Sequence, residues 1–244
     1  MPYQFVDCRY ELGKPGRGRE LYLEAHIPGA SFLDLEEDLS DMTRAPEAGR
    51  HPLPSAEAFA ASAGQAGIGS GTFVVAYDQG MTGGAARLWW LLRHFGHEQV
   101  AVLDGGIGAW LGPLSSGDED VVPAEFAAVE RDDDAVSADE LLERIQHPHV
   151  VVLDARAPER YRGEVEPLDP VAGHIPGARN VPFTEAFPPP DEVLFAPELV
   201  VYCGSGVTAC VDLLALHRAG RTDARLYAGS WSEWSRRGLP VERS

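Results

Sequence analysis

The sequence predicts an α/β fold built twice, because short buried strands alternate with helices and the same motifs recur in both halves. "HIPGA" occurs at 26–30 and again at 174–178. "FVDCR" at 5–9 corresponds to "VLDAR" at 152–156, and "FVVAYD" at 73–78 corresponds to "ELVVYC" at 198–203. The matches keep the same order, as internal repeats do. Each copy is therefore expected to be a mainly parallel sheet flanked by helices.

The elements within each copy follow from local patterns. "VVVLDAR" and "LVVYC" are short β-branched runs typical of buried parallel strands. Ser137 and Glu140 have the spacing of a capping box, so a helix is predicted to begin there. A second helix is predicted from Ser55 to the glycine that follows "SAEAFAASAGQA". "AARLWWLLRHFG" and "TACVDLLALHRAG" are predicted to be matching helices after the loop that follows "FVVAYD" and "ELVVYC".

The repeat divides the chain into two predicted domains. The first covers 1–115, and a segment rich in Gly, Pro, Ser and acid at 116–136 is predicted to be the linker. The second domain covers 137–244. The offset between the copies falls from 148 residues at His26 and His174 to 125 at Tyr77 and Tyr202, so the second copy is 23 residues shorter there. The proline run at 188–190 in that shortened segment is not expected to be helical.

Composition narrows the classes of function. The 244 residues carry a formal net charge of −18, which argues against nucleic acid and anionic membranes as partners. No apolar run is long enough to span a membrane, and the first residues do not resemble a signal peptide. The three cysteines have neither metal-binding nor CxxC spacing, so we expect no metal, no cofactor and a reducing, cytoplasmic location.

The stretch "VVYCGSGVTAC" at 200–210 places Cys203 between a strand and a helix. Such a turn lies at the carboxyl edge of a parallel sheet, where open α/β folds bind ligands. Gly204 and Gly206 allow a curled backbone whose N–H groups can surround an anion, and the following helix adds its positive end. A thiol in this setting is predicted to be a nucleophile. Cys8 and Cys210 are expected to be buried structural residues.

These motifs resemble the two-domain rhodanese sulfurtransferases over nearly the whole chain. The resemblance implies a transferase that carries a sulfane sulfur as a persulfide on Cys203 and passes it to cyanide or a thiol. Ser205 is expected to sit beside the sulfur and help to deprotonate or orient it, or to hydrogen-bond the substrate. The backbone N–H groups of Gly204, Ser205, Gly206, Val207 and Thr208 are expected to cradle the persulfide. Arg160 is expected to bind the donor's anionic end, with Arg156 as a second candidate. A thioredoxin-like reductant is a possible acceptor partner.

The loop "CGSGVT" is similar to that of family members acting on 3-mercaptopyruvate, whereas enzymes acting on thiosulfate usually carry basic residues there. The resemblance further implies that Ser205 is linked to a histidine and an acid from the first domain. His51 matches the histidine. Glu36 stands where the family has aspartate and is the candidate acid partner. Asp78 replaces the cysteine in the first copy, which is therefore expected to be non-catalytic.

Two other classes of function stay open at this stage. A cysteine-dependent phosphatase also uses a thiolate in a backbone cradle, but it needs an arginine six residues after the cysteine, where this chain has Ala209. A non-catalytic binding module would fit the first domain alone. Retention of Cys203 and its loop favours the sulfurtransferase, with mercaptopyruvate preferred over thiosulfate as donor.

Overall fold

Eight short parallel strands form two sheets of four within the part of the chain that the structure describes. The structure is a computed structural model that describes residues 2–186 and 188–244. Each sheet has its earliest strand at an inner position, and each is parallel throughout. The predicted α/β fold, built twice, is therefore confirmed.

The first sheet and its helices come from the N-terminal half. In chain order the elements are β1 (Tyr3–Asp7), α1 (Arg17–Glu24), β2 (Ser31–Phe32), α2 (Ala56–Gln65), β3 (Phe73–Tyr77), α3 (Gly84–His94) and β4 (Val100–Val102). The strand order is β2-β1-β3-β4. Helix α2 begins after Ser55, whose Oγ accepts a hydrogen bond from the N–H of Ala58 at 3.1 Å. The strand–helix alternation therefore follows the sequence pattern.

The second sheet repeats this arrangement. Its elements are α4 (Ala138–Arg144), β5 (Val150–Asp154), α5 (Pro158–Tyr161), β6 (Arg179–Asn180), α6 (Asp191–Leu194), β7 (Glu198–Tyr202), α7 (Ala209–Arg218), β8 (Arg225–Leu226) and α8 (Ser230–Arg236). The strand order is β6-β5-β7-β8. Ser137 caps α4 by accepting from the N–H of Glu140 at 3.1 Å. The Glu140 carboxylate, instead of completing a capping box, pairs with Arg144 and Arg225.

The shortened segment before Cys203 lies between β6 and β7. Residues 188–190 are not helical, as predicted, and Pro190 directly precedes the single turn of α6. A 3-10 turn, Phe183–Glu185, comes before it. The corresponding stretch of the first unit carries the ten-residue α2. Phe187 lies outside the described residues.

The compact units do not coincide with the predicted domain bounds. One unit comprises Met1–Asp41 and Leu53–Arg131, and the other comprises Met42–Pro52 and Asp132–Ser244. Most of the segment predicted as a linker belongs to the first unit: the N–H of Ala124 donates to Gly64 O and that of Val129 to Phe95 O. The short segment 42–52, encoded inside the first repeat, belongs to the second unit. Its 3-10 turn, Pro46–Ala48, packs against α8.

A shared motif braces the first strand of each unit. Asp154 at the end of β5 accepts from the Arg156 guanidinium at 2.6 Å and from the Tyr202 hydroxyl at 2.6 Å. In the first unit the Arg9 guanidinium donates to Asp7 at 2.6 Å. The carboxylates are fully buried and each has an arginine partner, as a buried charge requires. The repeated "D-x-R" motif therefore has a structural role in both units.

No helix among residues 2–186 and 188–244 is both long enough and apolar enough to cross a membrane.

Candidate active site

The nucleophile candidate lies on the turn between β7 and α7. Cys203 directly follows β7, and its side chain is buried. Its N–H donates to Ser230 Oγ at 3.1 Å, and its carbonyl accepts from the N–H of Trp231 at 3.0 Å. The next carbonyl, that of Gly204, accepts from the N–H of Ser232 at 3.0 Å. The start of α8 therefore fixes the backbone on which the thiol is carried.

Ser230 is a candidate positioning residue that sequence reasoning missed. It has a φ of 55°, which is rare for a residue with a side chain. It is fully buried, and its hydroxyl donates to Tyr227 O at 2.9 Å while accepting from Cys203. A strained residue bonded to the backbone of the nucleophile is consistent with a positioning role. Ser230 lies in the motif "GSWSEW" at 229–234. The motif does not indicate that the Ser230 hydroxyl contacts the backbone of Cys203.

The glycine loop turns at Gly206, one of the two glycines expected to let the backbone curl. Gly206 has a φ of 74°, and a Cβ at this position would lie 2.4 Å from Ala228 O, so no larger residue fits. Gly204 and Val207 are buried, and Thr208 is half-buried at the N-cap of α7. Cys210 lies inside α7, where its Sγ is 3.3 Å from Gly206 O. The loop is closely packed around the cysteine.

Ser205 and His51 are brought into contact. A hydrogen bond of 2.8 Å joins Ser205 Oγ and His51 Nδ1, and both side chains are buried. The hydroxyl donates when Nδ1 carries no proton. Both residues belong to the second unit, because segment 42–52 groups with it. Glu36 lies in the first unit, half-buried in a turn where its N–H donates to Asp34 Oδ1 at 2.8 Å. Its role as the acid partner stays a prediction.

Arg160 and Arg156 have different surroundings. Arg160 is partly exposed and donates to Glu166 at 2.7 Å. The Arg156 side chain is almost fully buried, and its donors are engaged by Asp154, Glu166 and the carbonyl of Gly173. Burial is the largest single influence and opposes its charge, but Asp154, Tyr202 and Glu166 together outweigh burial and raise the Arg156 pKa. Arg156 therefore braces β5, and its role in binding the sulfur donor stays a prediction.

Arg50 is the second residue that sequence reasoning missed. It directly precedes His51, and its guanidinium forms an ion pair with the buried carboxylate of Asp169. A Cβ built on Gly204 would lie 2.7 Å from Arg50 Nη2 and 3.3 Å from Arg160 Nη1. Two guanidinium groups therefore approach the residue next to Cys203. Proximity to His51 in the sequence was the available signal, but nothing local indicates where the arginine side chain points.

The matching loop of the first unit holds an anion of its own. Asp78 stands at the position of Cys203, and its carboxylate accepts from the N–H groups of Gly80 at 2.8 Å, Gly83 at 3.1 Å and Ala85 at 3.3 Å. These donors lie at the start of α3, where a negative charge is stabilised. The backbone cradle of the first unit is thus filled by its own side chain, which gives a physical reason for the predicted lack of catalysis there.

A buried acid lies on α7, the helix that follows Cys203 and its loop. Asp212 is almost fully buried, and neither of its carboxylate oxygens has a hydrogen-bond partner among the described residues. Burial raises its pKa well above the usual range, and the negative charges of Cys203 and Asp154 raise it further. Charge on Asp212 and charge on Cys203 therefore oppose each other.

The family model of the rhodanese-like domain matches this chain twice, at residues 2–112 and 137–237. The chain belongs to the rhodanese-like family. A human relative named 3-mercaptopyruvate sulfurtransferase is 41% identical over 99% of this chain and 88% of its own length. SseB of Mycobacterium tuberculosis, also 41% identical, over 96% of this chain and 88% of the relative, is instead named for thiosulfate.

A solved structure supports the same membership. SseA of Escherichia coli, described as a 3-mercaptopyruvate sulfotransferase with the rhodanese fold, superposes with a TM-score of 0.81 at 35% identity. The match covers 94% of this chain and 92% of SseA. The predicted resemblance to two-domain rhodaneses is therefore confirmed, and so is the predicted class of enzyme, a sulfurtransferase.

Proposed function

We propose that this rhodanese-like enzyme moves a sulfane sulfur from 3-mercaptopyruvate, through a persulfide on Cys203, to a thiol or cyanide. The observation that carries the proposal is the buried hydrogen bond between Ser205 and His51, two residues from Cys203. A hydroxyl bonded to an imidazole can pass a proton to or from a group beside the sulfur. Such help is useful for a donor whose leaving group must be protonated.

The reaction has two steps in this proposal. The Cys203 thiolate attacks the sulfur of mercaptopyruvate, a sulfur–sulfur bond forms, and the carbon–sulfur bond breaks. Its electron pair passes into the enolate of pyruvate, which takes up one proton. An acceptor thiolate or cyanide then attacks the outer sulfur, and the Cys203 thiolate leaves. His51 and Ser205 are assigned the transfer of that proton. The backbone N–H groups from Gly204 to Thr208 are assigned the stabilisation of the negative charge that develops during the reaction.

Two features favour mercaptopyruvate over thiosulfate. The loop from Gly204 to Thr208 carries no charged side chain, so it offers no cation within itself to a compact dianion. Arg160 lies close enough to Gly204 to receive a carboxylate. Thiosulfate is the competing donor, since sulfite can leave without a proton and would need no relay from His51.

The physiological acceptor and location complete the proposal. We assign a thiol as the acceptor of the sulfur, and a thioredoxin-like reductant as one protein that supplies such a thiol. We assign the enzyme to a reducing cytoplasm. No disulfide joins Cys8, Cys203 or Cys210 in the described part of the chain, and all three are buried, which is consistent with that environment.

The test compares cysteine variants and donors. Steady-state assays with mercaptopyruvate and thiosulfate, each with cyanide, should give a higher kcat/KM for mercaptopyruvate. Mass spectrometry after incubation with donor should find one added sulfur on the peptide that contains Cys203. Cys203→Ser should abolish both signals, while Cys8→Ser and Cys210→Ser serve as matched controls that retain them. Sulfur on another cysteine, or a preference for thiosulfate, would contradict the proposal.

A further inference from the structure

Next to Cys203 lies a connected group of four arginines and three buried or nearly buried acids, here called the arginine cluster. Arg50 and Arg160 both approach Asp169, Arg160 at 3.6 Å, and Arg160 and Arg156 both pair with Glu166. The members are Arg50, Arg156, Arg160, Arg236, Asp154, Glu166 and Asp169. All of them belong to the second unit.

The charges within the arginine cluster do not balance. Four guanidinium groups face three carboxylates, which leaves one formal positive charge. Asp154 and Glu166 hold Arg156 on the buried side, whereas Arg50, Arg160 and Arg236 are partly exposed and all approach Asp169, Arg236 only at 4.0 Å. The surplus charge is therefore carried among these three arginines, two of which adjoin Gly204. One carboxylate would balance it.

The geometry directs the surplus charge toward the nucleophile. Arg50 Nη2 lies 2.7 Å, and Arg160 Nη1 and Nη2 lie 3.3 and 3.6 Å, from the position that a Cβ on Gly204 would take. Gly204 is bonded directly to Cys203. In addition, Arg50 Nε is buried and has no hydrogen-bond partner among residues 2–186 and 188–244. A buried donor without a partner is costly unless a ligand meets it.

We propose that Arg50 forms, with Arg160, a two-arginine clamp for a carboxylate beside Cys203, and that this clamp selects reagents carrying a single carboxylate. Asp169 is the positioning residue that holds both guanidinium groups over Gly204. Paired planar guanidinium groups suit a carboxylate, because each can donate two parallel hydrogen bonds. The identity of the natural carboxylate rests on the proposed function, whereas carboxylate selection at the sulfur does not.

The competing explanation is that Arg50 only stabilises the fold through its ion pair with Asp169. In that case replacing Arg50 would lower the melting temperature but would leave the selectivity of Cys203 unchanged. A measurement of selectivity therefore separates the two explanations, whereas a measurement of stability alone does not.

Alkylation of Cys203 by two matched reagents gives that measurement. Iodoacetate and iodoacetamide both lose iodide as the Cys203 thiolate forms a sulfur–carbon bond, but only iodoacetate carries a carboxylate. The ratio of their second-order rate constants cancels any change in the amount of thiolate. Rates are followed on the Cys203 peptide by mass spectrometry in the full chain, without sulfur donor. The ratio is normalised to that of a small free thiol.

Arg50→Ala should lower the iodoacetate-to-iodoacetamide ratio about tenfold or more, as expected for loss of a charge-assisted contact. Arg50→Lys should restore part of the ratio, because a point charge cannot form the forked contact. Arg162→Ala is the matched control: this arginine lies two residues from Arg160, is exposed, and pairs with Glu164 at 2.8 Å. Its ratio should equal that of the unmodified chain.

An unchanged ratio in Arg50→Ala would overturn the clamp, even if sulfur transfer from mercaptopyruvate were measured as proposed. A lowered ratio in a chain that does not use mercaptopyruvate would support the clamp and contradict the proposed donor instead. If Arg50→Ala does not fold, Arg50→Gln keeps most of the side-chain volume without the charge and is read by the same ratio.

Discussion

The hydrogen bond between His51 and Ser205 allows a test of whether these residues act as one unit. The bond is 2.8 Å long and buried at both ends, so neither side chain can find water as a substitute partner. His51→Ala should lower kcat with mercaptopyruvate by about 10²-fold, the lower end of general acid–base assistance, since the loop already stabilises the sulfur. Ser205→Ala should cause a similar loss, because it breaks the same relay.

The loss of kcat in the double variant His51→Ala/Ser205→Ala decides whether the two residues act together. If the two residues form one relay, the double variant should be no slower than either single variant. The coupling energy would then be about 2.7 kcal/mol, the equivalent of a factor of 10². Independent contributions would instead multiply to about 10⁴-fold. Thiosulfate should be affected much less, because sulfite leaves without a proton.

Steady-state kinetics with both donors measure these losses, and melting temperatures confirm that the variants fold. His149→Ala is a suitable control, since His149 is an exposed histidine of the same unit. Multiplicative losses, or equal losses with mercaptopyruvate and thiosulfate, would refute the relay. The second result would show that His51 supports the structure of the loop rather than moving a proton.

Three further substitutions address other parts of the molecule. Gly204→Ala would place a Cβ 2.7 Å from Arg50 Nη2 and displace that flexible side chain, so KM for mercaptopyruvate should rise with little change in Tm; an unchanged KM would contradict the placement of Arg50. Asp78→Ala leaves the buried N–H groups of Gly83 and Ala85, and the part-buried one of Gly80, without their acceptor, so urea titration should show a loss of about 1–3 kcal/mol while kcat/KM stays the same; loss of activity in the folded variant would be the contrary result. Asp212→Asn removes a buried acid whose pKa burial and the charge of Cys203 raise. Because the native pKa lies above the unfolded one, the unmodified chain loses stability as pH rises between them, so the Tm of the variant relative to the unmodified chain should increase with pH; a difference independent of pH would show that folding does not shift the Asp212 pKa.

The parts of the site that lie in one continuous motif were predictable from the sequence. "VVYCGSGVTAC" contains the strand end, the nucleophile, the positive-φ Gly206 and the helix start. Each of these follows from a local rule about strands, glycines or helix ends. The resemblance to a family added His51, and the contact between His51 and Ser205 agrees with that pairing.

The remaining parts depend on packing between distant segments. Arg50 pairs with Asp169, 119 residues further along the chain, and no local periodicity relates the two positions. Arg156 and Arg160 stand four residues apart in one motif, yet only the structure shows that one is enclosed by acids while the other approaches Gly204. Ser230 required knowledge of a positive φ that its residue type does not indicate.

Segment 42–52 belongs to the first repeat in sequence and to the second unit in the fold. In the sequence His51 and Arg50 lie in the first copy of the repeat, but in the fold they pack with the second unit, which contains Cys203. A cut anywhere between the repeats would separate the thiol from these side chains. The site is therefore encoded discontinuously: both copies of the repeat contribute residues to it, although only the second has a cysteine at this loop position.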